Sequence, residues 1–87
     1  MKPLVAKRSI VIDQHKTSIS LEDIFWNALK HIARERGETL SNLAASIDAS
    51  RQSANLSSAI RVYVLRHYMD RSAQQREMFQ QREIAVN

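Results

Sequence analysis

Cysteine is absent from the 87 residues, and proline and glycine occur once each, as Pro3 and Gly37. Without cysteine there is no disulfide framework, no thiolate zinc site and no thiol nucleophile, and the composition fits a reducing compartment. A single glycine excludes the glycine-rich loops that cradle phosphates in nucleotide-binding enzymes. Aromatic residues make up only 6% of the chain. No stretch approaches the roughly 20 consecutive apolar residues that a membrane helix requires. The basic segment from Met1 to Arg8 is not followed by an apolar signal-type core, so a cytoplasmic protein is expected. A chain this short buries little surface alone and has no staple, so association as a homodimer is the expected remedy.

What is present is charge of uneven distribution. The formal net charge is +4 and the sequence pI about 10.0. Lys2, Lys7, Arg8 and Lys16 against Asp13 leave +3 on residues 1–20, and Arg61, Arg66 and Arg71 against Asp70 leave +2 on residues 55–71. Residues 21–38 are slightly acidic, with Lys30, Arg34 and Arg36 against Glu22, Asp23, Glu35 and Glu38. A basic N-terminal region ahead of a helical body suits a polyanionic partner.

Residues 1–8 read as a flexible basic arm, residues 9–71 as one domain and residues 72–87 as a frayed or disordered tail. Ile10, Val11 and Ile12 form a β-branched run, so Ser9–Asp13 reads as a short strand. From Lys16 to Leu21 polar and apolar residues alternate, which sets Lys16, Ser18 and Ser20 on one strand face and Thr17, Ile19 and Leu21 on the other. Ser20 stands at an N-cap position with Asp23 three residues on, and Leu21, Ile24, Phe25, Ala28, Leu29, Ile32 and Ala33 then recur at helical spacing up to Gly37. Thr39 is suited to cap a second helix carrying Leu40, Leu43, Ala44 and Ile47. Residues 48–54 read as a break. Asn55 or Ser57 caps a third helix with Leu56, Ala59, Ile60, Tyr63, Val64, Tyr68 and Met69 on its apolar face. The class is mainly α with short N-terminal β structure. Trp26, at the edge of the first stripe, is expected to pack against the third helix.

Catalytic chemistry finds no support. His15, His31 and His67 lack metal-ligand spacing, and the serines have no histidine and acid in recognisable local order. No enzyme activity, metal or cofactor is expected. The strand before the first helix is the informative feature. Lysine donates to guanine edges or phosphates, and serine serves either, so Lys16, Ser18 and Ser20 have the chemistry of groove readers. Two such strands, one from each of two chains, make a ribbon narrow enough for the major groove. In the alternative arrangement Ser9–Asp13 and Lys16–Leu21 form a hairpin within one chain. Free amides at the starts of the second and third helices accommodate phosphate oxygens, as does any helix N-terminus.

The ordered set Lys16-Thr17-Ser18-Ile19-Ser20-Leu21-Glu22, Phe25-Trp26, Ala28-Leu29, Ile32 to Gly37, Thr39 to Leu43, Ile47-Asp48 and Asn55 to Val62 resembles the bacterial ribbon-helix-helix family over about residues 8–70. The resemblance implies an intertwined homodimer whose antiparallel ribbon enters the DNA major groove. By position it makes Lys16, Ser18 and Ser20 the groove readers, and Thr39 and Ser41 the phosphate anchors. Two departures accompany it. Asn55-Leu56-Ser57-Ser58-Ala59-Ile60-Arg61 itself resembles the start of the family's second helix, which moves the anchor to Asn55 and Ser57 and makes residues 40–48 an insertion. The Ser9–Asp13 strand is also additional, and either extends the ribbon or brings Arg8 to a phosphate. Ile19, Leu21, Phe25, Leu29, Ile32, Ile60, Tyr63 and Val64 are expected to form the dimer core. The expected function is a sequence-specific transcriptional regulator acting on double-stranded DNA, with further pairing of dimers on DNA. The competing expectation is an antitoxin-like interaction module whose tail, with Met78, Phe79 and Ile84, binds a partner protein.

Overall fold

The structure, a computed structural model, describes residues 5–50 and 55–86, with side chains through Arg76. Residues 1–4 of the expected arm and 51–54 of the expected break lie outside the described residues, as do the side chains of Met78, Phe79 and Ile84. Two strands, β1 (Val5–Ile12) and β2 (His15–Glu22), are followed by three helices, α1 (Asp23–Arg36), α2 (Leu40–Ser50) and α3 (Leu56–Val86).

The strands pair with each other, antiparallel, from Val5 opposite Glu22 to Ile12 opposite His15. They are joined by a two-residue turn in which Asp13 (φ 49°) and Gln14 (φ 69°) are both left-handed. Positive φ at both positions is the mirror-image turn whose twist matches a right-twisted hairpin. The hairpin within one chain, one of the two arrangements open in the sequence, is present. Val5–Arg8, expected in an arm, belong to β1, because β2 extends to Glu22 and offers them a pairing edge. Ser20 consequently stays in the sheet opposite Lys7, and Glu22 takes the N-cap position of α1 without a side-chain cap.

Period-two alternation then divides the hairpin cleanly. Ile10, Ile12, Ile19 and Leu21 are buried, whereas Lys7, Ser9, Val11, Lys16, Ser18 and Ser20 are exposed. Gly37, at φ 68°, ends α1. Its amide bonds to the Arg34 carbonyl at 3.1 Å and the Glu38 amide to the Ala33 carbonyl at 2.9 Å, a Schellman closure that needs the left-handed residue. Thr39 Oγ1 accepts the Asn42 amide at 3.0 Å to cap α2, and Asn55 Oδ1 accepts the Ser57 amide at 2.9 Å to cap α3. α3 runs through the segment expected to fray, to Val86.

α2 packs beneath β1, while α1 and α3 pack beneath β2. Among the residues expected to form a dimer core, Ile19, Leu21, Leu29, Ile32, Ile60 and Val64 are already buried inside the single chain, with Phe25 and Tyr63 half-buried against them. The reason lies in the two additional elements. β1 brings Ile10 and Ile12, and α2 brings Leu43, Ala44 and Ile47, into the same cluster. These side chains cover surface that one strand and two helices would leave open. Trp26 is half-buried at the edge of this core, with the Arg8 guanidinium 5.1 Å and the Lys30 ammonium 5.9 Å from its ring centre. Those cations come from β1 and from α1 itself.

The turn offers a direct check. A left-handed residue with a Cβ costs roughly 1–2 kcal/mol that glycine avoids, partly offset by glycine's greater freedom in the unfolded chain. Gln14→Gly is expected to raise the stability measured by urea unfolding by about 0.5–1 kcal/mol. A loss of stability would contradict the turn geometry.

Candidate nucleic-acid interface

The outward face of the hairpin collects polar side chains from both strands. The ladder sets Lys7 opposite Ser20, Ser9 opposite Ser18 and Val11 opposite Lys16 on this face. Lys16 is four residues along β2 from Ser20, the partner of Lys7. The two cations therefore stand about 14 Å apart along the strands, at roughly 3.4 Å per residue, with the hydroxyls of Ser9 and Ser18 between them and Ser20 beside Lys7. Neither lysine has an ion-pair partner among the described residues. Spare donors aimed outward in this way suit an acceptor-rich partner such as a base edge or a phosphate.

Lys16, Ser18 and Ser20, expected as groove readers, are thus brought together on one exposed surface. Lys7 and Ser9 share it and were missed as site residues in the sequence, Lys7 because residues 1–8 read as an arm and Ser9 because its strand had no assigned partner. The alternation of Lys7, Ser9 and Val11 with Arg8, Ile10 and Ile12 was the available signal. The one carboxylate on this face, Glu22, sits at its end opposite Val5 and is held by Arg61 of α3 at 2.8 Å. That hydrogen bond, with the Glu22 backbone and the Arg61 charge, keeps the Glu22 carboxyl below its ordinary value of 4.5.

The expected phosphate contacts are dispersed. Arg8 is turned to the inner side, where its Nε donates to the Leu21 carbonyl at 3.3 Å and its terminal nitrogen pairs with Asp23. Arg8, expected at a phosphate, has an even position in β1 that places it on the face opposite Lys7 and Ser9. Thr39 and Ser41 stand at the start of α2, and Asn55 and Ser57 at the start of α3, away from the hairpin face by element. Ser57 is only 8% exposed, and Asn55 Oδ1 occupies the amides of Ser57 and Ser58. Among the described residues no group of three or more histidines, carboxylates or cysteines gathers to hold a metal ion, and no helix is long and apolar enough to cross a membrane.

The depressed Glu22 carboxyl carries a pH consequence. Its contribution to stability is full above about pH 4.5, the unfolded value, and falls away as the pH drops through the lower folded value. Glu22→Gln should therefore flatten the acid limb of a stability-versus-pH curve below 4.5 and leave its shape at neutral pH unchanged. An acid limb identical in wild type and variant would contradict the pairing with Arg61.

Comparison with curated proteins and with solved structures finds no match. A family model, described as a ribbon-helix-helix domain, matches residues 5–68, which are 64 of the 87 residues. The match begins at the first residue of β1 and takes in α2, so the additional strand and helix lie inside the family's own pattern. The chain belongs to the ribbon-helix-helix family.

Proposed function

We propose that this chain is a sequence-specific DNA-binding protein, a transcriptional regulator that acts as a homodimer and presents the outer face of its hairpin to the major groove. Ribbon-helix-helix proteins are generally DNA-binding regulators or antitoxins, and they usually bind DNA as dimers. The observation that carries the reading is the exposed row of Lys7, Ser9, Lys16, Ser18 and Ser20 on a face whose reverse side is the hydrophobic core. A two-stranded ribbon fits a groove about 12 Å wide, which is also broad enough to accept a helix. Lysine is matched to guanine O6 and N7, and serine to either partner of a pair. Charge on the same face attracts the duplex before any base is read, so affinity falls with salt as counterions are released.

A second reading, an antitoxin-like interaction module, is favoured by one feature. Residues 69–76 of α3 are exposed along the helix, and Tyr68, Met69, Ser72, Ala73 and Arg76 line an open groove of about 420 Å³. Removal of residues 73–87 without loss of a protein captured by the full chain would argue against it.

Selection from a random-sequence duplex library, followed by fluorescence anisotropy at two salt concentrations, tests the first reading. A recovered consensus bound more tightly than a shuffled duplex, with affinity falling as salt rises, is expected. Lys16→Ala should reduce discrimination between the two duplexes by about 1–3 kcal/mol while circular dichroism is unchanged. Failure to enrich any sequence, or full discrimination in the variant, would contradict it.

A further inference from the structure

The outer face of the hairpin is polar at every position except Val5 and Val11. Val5 stands opposite Glu22, and an acid beside it makes that row the least suited to a polyanion. Val11 stands at the turn end, opposite Lys16, and is 50% exposed. It belongs neither to the core nor to the side chains packed against it, so burial gives no account of an apolar group there. Ile10 and Ile12 on either side make the core contacts of this part of β1. Threonine would serve the strand equally, since β-branching is what the pleated surface favours. What valine adds is a pair of methyl groups held outward, beside an ammonium that has no ion-pair partner among the described residues.

The turn fixes how close those two side chains stand. A two-residue loop makes Ile12 and His15 a hydrogen-bonded pair, so Val11 and Lys16 form the next, non-hydrogen-bonded pair. Side chains of such a pair are the closest across a ladder, with Cβ atoms about 4.5–5.5 Å apart. Successive base pairs lie about 3.4 Å apart, so the two side chains leave the ribbon within about two base pairs of each other. In the major groove the base edges present donors, acceptors and one apolar substituent, the C5-methyl of thymine. A valine turned to those edges therefore has a single complementary group. Any other base sets a polar edge against its methyls, and a polar group removed from water without a partner is costly.

We propose that Val11 is a specificity-determining residue that reads the 5-methyl group of a thymine close to the guanine contacted by Lys16. This rests on the DNA-binding reading above and deepens it, because it names a base and assigns base reading to β1 as well as to β2. The Val11–Lys16 row then works as a two-part reader. Its ammonium favours the O6 and N7 acceptors of guanine, and its methyls favour the methyl of thymine.

Replacing the thymines of a selected duplex one at a time by uracil tests this on the unmodified chain. Each replacement deletes one methyl group and leaves every hydrogen-bonding group of the base in place. One sensitive thymine for each bound chain is expected, within about three base pairs of the guanine whose preference Lys16→Ala relaxes, and with affinity falling about fourfold for the lost methyl contact. Val11→Ser, with circular dichroism unchanged, should bind the thymine and uracil duplexes alike. A duplex bound with sequence preference but with no sensitive thymine would overturn the assignment, as would a sensitivity that persists in Val11→Ser, and both leave the DNA-binding reading in place. Failure to bind any duplex would overturn the assignment and that reading together.

Discussion

The register of the β1–β2 ladder is the constraint on which the rest of this structure depends. Because strand side chains alternate, the ladder that buries Ile10, Ile12, Ile19 and Leu21 is the same ladder that exposes Lys7, Ser9, Lys16, Ser18 and Ser20. A slip of one residue in β2 would carry Lys16, Ser18 and Ser20 inward and expose Ile19 and Leu21. Core and candidate interface are therefore two faces of one decision, made at the turn of Asp13 and Gln14. No separate force is needed to keep the candidate readers at the surface; hydrophobic burial on the reverse side does it.

Cations divide according to the same alternation. Arg8 lies on the inner side and binds the Leu21 carbonyl, Asp23 and the Trp26 face, joining β1 to the end of β2 and the start of α1. Arg61 fastens α3 to Glu22, and Arg71 fastens it to Glu35 of α1 at 3.1 Å. Arg8 and Arg61 tie the hairpin to α1 and α3, and Arg71 ties the two helices to each other, although exposed pairs of this kind add little to stability. Lys7 and Lys16, on the outer side, have no ion-pair partner among the described residues. Positive charge in this chain thus has two settings, paired and unpaired, that the net value of +4 does not separate.

Much of this was legible in the sequence. Helix α1 was marked by its apolar stripe and by Gly37, the cap of α2 by Thr39, that of α3 by Asn55 or Ser57, of which Asn55 serves, and the exposed row of β2 by simple alternation. The pairing partner of β2 was left open between Ser9–Asp13 and a second chain. Asp-Gln lacks the glycine that ordinarily signals a two-residue turn, so neither the turn nor the extension of β1 back to Val5 stood out. Ser20 was misleading for a related reason. Its side chain is suited to a cap, but tertiary pairing with Lys7 kept it in the strand. The burial of Ile19, Leu29 and Ile60 within one chain followed from β1 and α2 together, and local pattern does not show which elements share a core.

Nuclear magnetic resonance of the labelled chain, titrated with a duplex it selects, tests the central claim most directly. The account predicts that the largest shift changes fall on Lys7, Ser9, Lys16, Ser18 and Ser20, while core residues such as Leu29 and Ile60 stay in place. Changes confined to α2 or α3, with the hairpin face undisturbed, would contradict it.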